Sequence, residues 1–394
     1  MRIAFHAPLN APERGKPSGD RLIGRMLMRA LIAGGHEVAL ATPFRSYDKA
    51  GDDGRQQRIA TLGQRLADRL TRRLAAGPKA ERPHLWLTYH LYHKAPDHIG
   101  PRVAAALGIP YVVAEASVSE RQATGPWRAG HLASIEALGA ADMVLGLNGK
   151  DRAGVLPHLR GADRYRQIRP FIDTGPYRAA AKGRREARRR LGARTGLGEN
   201  PILVAVGMMR AGAKLASYRL LADALSRLAR GDWGLVIVGG GPEEGAVRAA
   251  FAGLGDRIAF LGEMTGEALA QIYAGADLLV WPAIDEAIGM VFIEAAAAGL
   301  AVVGARGQGV PDVVEHGAGG LLADYGDAAD FARSIEALLE DPDRRQTMGA
   351  TGARLALERH DLGSEGARFC RLIEAVVAEH GTADAGRGQC GGPP

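Results

Sequence analysis

Residues 274–304 read AGADLLVWPAIDEAIGMVFIEAAAAGLAVVG. Leu278–Trp281 is a short apolar run of strand type, stopped by Pro282, which has no N–H to give to a sheet ladder. A loop with Asp285 and Glu286 follows. Gly289 then opens a helix of small and apolar residues that runs through Ala298 to a stop at Gly299, and Ala301–Gly304 is a strand again. Strand, loop, helix and strand make a βαβ unit, whose two strands must run parallel because the connection crosses over.

The same alternation extends to both sides. Upstream, strands are predicted at Ile202–Val206, Leu235–Val238 and Ile258–Phe260. In the first half they fall at Arg2–His6, Glu37–Thr42, Leu85–Tyr89, Pro110–Ala114, Met143–Leu147 and Gln167–Pro170. Helical patterns separate them, as in Leu22, Ile23, Met26, Leu27, Ala30 and Leu31 before the Gly34-Gly35 stop. The fold class is therefore α/β, with two Rossmann-like doubly wound parallel-sheet domains facing a cleft, and ligands belong at the C-terminal ends of the strands. Residues 1–175 are expected to form the N-terminal domain, the Arg-rich stretch 176–200 a basic linker, and residues 201–360 the C-terminal domain. Residues 361–380 are expected as a closing helix returning to the first domain, and 381–394 as a disordered tail.

The chain has 394 residues, which at roughly 150 per domain suits this division. With 46% hydrophobic and 24% charged residues, disordered and fibrous classes are excluded. Uncharged stretches such as 103–114 fall short of the ~18 residues that cross a bilayer, and the MRIAFHAP start lacks the pattern of a signal peptide. A cytoplasmic location is expected. Two cysteines, Cys370 and Cys390, support neither a disulfide framework nor a cysteine-based metal site, and no metal is expected. The net charge of +6 is uneven: residues 1–200 hold 34 Lys/Arg against 18 Asp/Glu, and residues 201–394 hold 16 against 26. Between Gly54 and Pro83, Ile59, Leu62, Leu66, Leu70 and Leu74 recur at helical spacing beside Arg65, Arg69, Arg72 and Arg73. Such a helix suits an anionic membrane surface, peripherally on the inner face, or is a solvated outer helix of an Arg-rich chain. Nucleic acid is not expected as a partner, because no recognition motif accompanies the charge.

The chemistry concentrates in the quoted stretch. Gly289 permits close approach of a ligand to the backbone, and the free N–H groups of Gly289, Met290 and Val291 form the positive end of a helix, a seat for phosphate or a sugar hydroxyl. A carboxylate only accepts hydrogen bonds, so Glu294 can hold both hydroxyls of a ribose, and Glu286 those of a sugar. A Glu inside FIEAAAAGL is otherwise out of place in an apolar helix. Arg210 and Lys214 follow strand ILVAVG, where cations can meet the charge of a departing diphosphate. Gly239-Gly240-Gly241-Pro242 is not a dinucleotide fingerprint, since Glu244 stands at the third Gly position.

Set in EAIGMVFIEAAAAGLAVVG, Glu286 and Glu294 resemble the two glutamates, with seven residues between them, of the retaining glycosyltransferases of family 4, which have the GT-B fold. The resemblance continues through FLGEMTGEALAQIYAGADLLVWP and GQGVPDVVEHGAGGLLADYGD, and in the first half through PSGDRLIGRMLMRALIAGGHEVAL and IRPFID. It implies a nucleotide-sugar as co-substrate with no other cofactor, an acceptor saccharide, lipid or small molecule, and a hexosyl transfer with retention. Lys214 matches the family's phosphate-binding Lys; Met208 stands in the place of its Arg, and Arg210 follows two residues later. Gly19 resembles the glycine that brings the first-domain loop to the donor phosphates. The family's His after the strand IPYVVA is absent; either Glu115, His90 or His93 takes its place, or the role is unfilled. That substitution also admits a second expectation, a non-catalytic GT-B protein that binds a nucleotide-sugar or a partner.

Overall fold

The computed structural model describes residues 1–12 and 18–388, with side chains through residue 382. The chain divides into two compact units, Met1–Arg169 with the stretch from Glu365 onward, and Pro170–Ser364. The first unit contains β1 (Arg2–His6), β2 (Glu37–Leu40), β3 (Leu85–Leu91), β4 (Tyr111–Ala116), β5 (Met143–Gly146) and β6 (Tyr165–Gln167). The second contains β7 (Ile202–Val206), β8 (Gly234–Val238), β9 (Ile258–Gly262), β10 (Leu278–Val280), β11 (Ala301–Ala305) and β12 (Gly320–Ala323).

Every pairing in both sheets is parallel, in the orders β2-β1-β3-β4-β5-β6 and β12-β11-β10-β7-β8-β9. Central strands are buried on both faces by helices, and so read as continuous apolar runs; β4 is buried at all six positions. Trp86, Tyr89 and Tyr111 anchor the first core, and Trp233, Trp281, Tyr218, Tyr273, Phe292 and Phe331 the second. Truncating one such ring to Ala typically costs about 3–5 kcal/mol.

Each order has one place where the winding reverses, between β1 and β3 in the first sheet and between β7 and β10 in the second. At such a point the loops leaving the two strands diverge to opposite faces and open a crevice at the strands' C-terminal ends. Helix Gly19–Ala33 follows β1, and His90 ends β3; helix Ala213–Ser226 follows β7, and the Glu286 loop follows β10. These four connections build the sites.

Three expectations need correction. Residues 176–200 are no linker: Gly175–Lys182 and Arg184–Thr195 are helices of the second unit. Arg178, Arg185, Arg189, Arg190 and Arg194 face solvent, but Ala180 and Ala187 are buried against Ala270 and Ala274 of helix Gly266–Gly275. Arg184 also donates to the carbonyls of Ala276 and Ala298 at 3.0 Å each, tying down the ends of two helices. The boundary accordingly moves to Arg169/Pro170. The last helix, Ala367–Gly388, belongs to the first unit and continues eight residues past the expected end at 380; the expected tail beyond residue 388 lies outside the described residues. Finally, β12 pairs with β11 at a sheet edge, where no strand was predicted.

Candidate active site

At the switch point of the second sheet, the β7 and β10 connections meet through an ion pair between Lys214 Nζ and Glu286 Oε2. Both side chains keep about a quarter of their surface, 25% and 21%, so the pair is open to a ligand. Lys214 also lies 5.5 Å from the centre of the Trp281 ring, a cation over a π face. Trp281 is buried at the end of β10, and its Nε1 has no hydrogen-bond partner. The Glu286 loop is held from several sides. Ile284 N donates to Ser217 Oγ at 2.9 Å, Gly309 N to Glu286 O at 3.2 Å, and Tyr325 Oη to Asp285 Oδ1 at 3.0 Å. Ala283 and Asp285 both have positive φ, 55° and 48°. Strain of this kind persists only where the surroundings enforce it.

Gly289, at φ 83°, is the N-cap of helix Met290–Ala297 and brings no capping side chain. The first-turn N–H groups of Met290 and Val291 are therefore free to meet an acceptor. One turn further on, Glu294 is buried and accepts from Tyr273 Oη at 3.1 Å. Burial pushes its carboxyl up to about 7, although Tyr273 and Tyr177 oppose the shift by hydrogen bonding to it. Arg210 is exposed in the β7 loop, where its carbonyl accepts from Leu215 N at 3.0 Å. Of the expected second-unit residues, Lys214 and Glu286 come together, Gly289, Met290 and Val291 form the helix mouth, and Glu294 sits deeper among tyrosines.

The first sheet repeats the arrangement. Gly19 is the exposed first residue of its helix, capped by Ser18, whose Oγ accepts from Arg21 N. Next to it, Asp20 Oδ1 lies 2.6 Å from His90 Nδ1, so here too an acid and a base from the two straddling connections pair across the switch point. His90 and Glu115 end adjacent strands at the same level, between the Tyr89–Ala114 and Leu91–Ala116 pairs. Both have positive φ, 65° and 63°. Glu115 is buried, and its Oε2 has no hydrogen-bond partner. Burial raises the Glu115 carboxyl, as do Asp20 and Asp151, against the pull of His90 and Tyr89. Burial lowers His90, but Glu115, Asp20 and Asp151 outweigh it and lift the imidazole to about 9. His93 differs: burial, Lys94 and His131 push it down to about 4, and it packs as a neutral ring against Tyr92 and Trp127.

Residues 200–341 match the model of the family Glycosyl transferases group 1. D-inositol 3-phosphate glycosyltransferase of Nocardia farcinica is 36% identical over 215 residues, 51% of this chain and 46% of that protein. The protein of the same name from Acidothermus cellulolyticus is 29% identical over 399 residues, 91% of this chain and 86% of that one.

The second unit is thus similar to the group 1 glycosyltransferases over most of its length.

The chain spans under half the length of the Nocardia relative. Anabaena Alr3699/HepE, solved in complex with UDP, aligns with this chain at a TM-score of 0.72 and 18% identity, covering 96% of this chain and 100% of that one. The likeness establishes the GT-B fold of two Rossmann-like units. Sequence reasoning passed over Asp20, Tyr177 and Tyr273, and left His90 undecided. Asp20 lies 70 residues from His90, and Tyr273 lies 21 from Glu294, so no local spacing signals either pairing.

His90 gives the first testable consequence. Its folded value near 9 exceeds the ordinary ~6.5, so the charged ring stabilises the fold fully below pH 6.5, and that contribution is lost as pH rises through 9. Urea unfolding at pH 6.5 and 9 is expected to show the native chain losing up to about 3 kcal/mol relative to His90→Gln. Equal losses in the two proteins would contradict the charged assignment.

Proposed function

We propose that this chain is a glycosyltransferase that moves a hexose from a nucleotide-sugar to a hydroxyl of a saccharide, lipid or small-molecule acceptor, with retention of anomeric configuration and without a metal ion. The Lys214–Glu286 pair at the switch point of the second sheet carries the reading. Lys214, with Arg210 and the amides of Gly289, Met290 and Val291, receives the diphosphate, whose negative charge grows as the glycosidic bond breaks. The same cations and dipoles fill the role a metal would take. Glu286, released from Lys214 by the arriving phosphate, accepts hydroxyls of the sugar and fixes its orientation. Glu294 accepts the ribose hydroxyls.

In the first unit, Glu115 with His90 and Asp20 contacts the acceptor or the transferred sugar. An unsatisfied buried oxygen on a strained strand end supports that role, because a hydroxyl donor would satisfy it. The curated relatives carry the name of an inositol-phosphate glycosyltransferase. A small phosphorylated polyol would suit the basic first half of this chain.

An ionised carboxylate accepts from both ribose hydroxyls with its two charged oxygens, whereas protonation removes the charge and turns one oxygen into a donor. With Glu294 near 7, affinity for the nucleotide-sugar is expected to rise about tenfold between pH 6 and pH 8, since the diphosphate diester itself does not titrate there. Calorimetric titration in that range checks this; Glu294→Gln is expected to bind weakly and without pH dependence. Binding that is flat with pH in the native chain would remove Glu294 from the ribose.

Helix Asp53–Ala76 exposes Arg55, Arg58, Arg65, Arg69, Arg72 and Arg73, and Leu62 is 51% exposed on the same helix. No helix among the described residues is long and apolar enough to cross a membrane. We place the protein in the cytoplasm, with this helix resting on anionic lipid. Co-sedimentation with anionic but not neutral vesicles is the expected result, and equal absence from both pellets would retire the contact.

A further inference from the structure

At the end of the first sheet opposite its switch point, three metal-ligating side chains converge. His36 follows helix Gly19–Ala33 just before β2, while Cys370 and Glu374 stand one turn apart on helix Ala367–Gly388. Their ligating atoms all lie within 4.8 Å of one another. His36 Nε2 is 3.1 Å from Glu374 Oε1, and Cys370 Sγ is 3.9 Å from the same oxygen.

Two further observations single this cluster out. The His36 side chain keeps only 7% of its surface, and its Nε2 is buried with no hydrogen-bond partner despite the short approach to Glu374. Ring nitrogen and carboxylate oxygen are near each other but not aligned as donor and acceptor, so an ion pair leaves Nε2 unsatisfied. In addition, a Cβ at Gly34 would lie 2.3 Å from Cys370 Sγ; the glycine is what allows the thiol to seat against the helix end.

We propose that His36 Nε2, Cys370 Sγ and Glu374 Oε1 bind one Zn2+ ion, which fastens the C-terminal helix to the body of the first unit. Bond lengths of ~2.0–2.3 Å in a tetrahedral site put ligand atoms about 3.3–3.6 Å apart; the separations of 3.1 and 3.9 Å from Glu374 bracket that range, and all three atoms lie within 4.8 Å of one another. A nitrogen, sulfur and oxygen set favours zinc over the hard cations Mg2+ and Ca2+, which take oxygen ligands. Glu374, with 46% of its side chain exposed, leaves an entry path and room for a water as fourth ligand.

Burial and Glu374 keep the Cys370 thiol protonated, with Arg371 and the Met1 amine opposing them. Zinc therefore binds with release of the thiol proton to solvent, forming the Zn–S bond as the S–H bond breaks. The sequence does not announce such a site, because its ligands lie 334 positions apart in the chain and include a single cysteine.

Titration of the metal-free full-length chain with Co2+ as an optical stand-in tests the proposal. A thiolate-to-cobalt charge-transfer absorption saturating at one equivalent is expected, bleached by Zn2+. It should persist in Cys390→Ser, vanish in Cys370→Ser and require at least tenfold more metal in His36→Gln. Zn2+ should raise the melting temperature of the native chain by a few degrees and leave that of His36→Gln almost unmoved. Absence of the absorption, its survival in Cys370→Ser, or its loss in Cys390→Ser would overturn the assignment.

Discussion

Lys214→Ala is expected to lower kcat for sugar transfer about 10²- to 10³-fold, the range seen when one preorganised charge-stabilising group is removed from an active site. Lys214 is the only side chain among the described residues that is ion-paired to Glu286, and it is confined between that carboxylate and the Trp281 ring. Arg210 is exposed and two residues out of the family's register, so it replaces little of the lost charge. The loss should fall on kcat more than on KM, because the diphosphate gains charge on the way to the transition state. Initial rates of transfer, or of slow donor hydrolysis, measure the effect, with the melting temperature as a control for folding. Glu286→Gln keeps the size of the side chain and should also lose kcat, since a neutral amide no longer accepts hydroxyls with both oxygens. A Lys214→Ala enzyme with unchanged kcat would separate the ion pair from catalysis. Donor hydrolysis in the native chain that Lys214→Ala abolishes would exclude a binding protein without turnover.

Gly239→Ala is expected to destabilise the second unit by about 3 kcal/mol or more, through backbone collision. Gly239 leaves β8 with φ 146°, and a Cβ there would lie 1.8 Å from Gly207 O. That carbonyl is fixed: it accepts from Tyr218 Oη at 2.7 Å, and Gly207 N donates to Val238 O at 3.0 Å. Gly241, at φ 151°, presses in the same way on Met209 O, 2.3 Å from its notional Cβ. The glycine run thus lets the β8 loop lie flat on the β7 loop that carries Arg210 and Lys214. A melting temperature lower by roughly 10 °C is expected, since about 1 kcal/mol moves a unit of this size by 2–4 °C. Gly245→Ala, whose Cβ meets nothing within 4 Å, should stay within about 1 kcal/mol of the native chain. Similar melting for the two variants would remove the packing role of the run.

The parallel sheets were readable because a strand covered on both faces must be apolar throughout, as in LVIV of β8 and VVA of β4. At the edge this rule fails: β12, GLLA between glycines, has only one paired side and too short a run to register. The Arg-rich stretch misled for a related reason, since two helices that bury little more than Ala180, Ala187 and Leu191 show their solvent faces far more loudly than their core faces. Within the site, Glu294 was visible as an acid in an apolar helix, whereas Glu286 and Glu115 stood out through their place in a resemblance. Their partners did not stand out. Lys214 is 72 positions from Glu286 and Asp20 is 70 from His90, and only the reversal of strand order brings each pair together. The positive φ angles of His90, Glu115, Ala283 and Asp285 likewise come from tertiary constraint, at residue types that do not announce it.

Equilibrium titration of UDP-, GDP- and ADP-linked hexoses into the native chain, Lys214→Ala and Gly245→Ala bears most directly on the seat assigned to the donor. One of these donors should saturate the native chain and Gly245→Ala at a single site and bind Lys214→Ala at least tenfold more weakly. No saturable binding of any of them, or equal binding by all three proteins, would contradict the placement of the nucleotide-sugar at the Lys214–Glu286 pair.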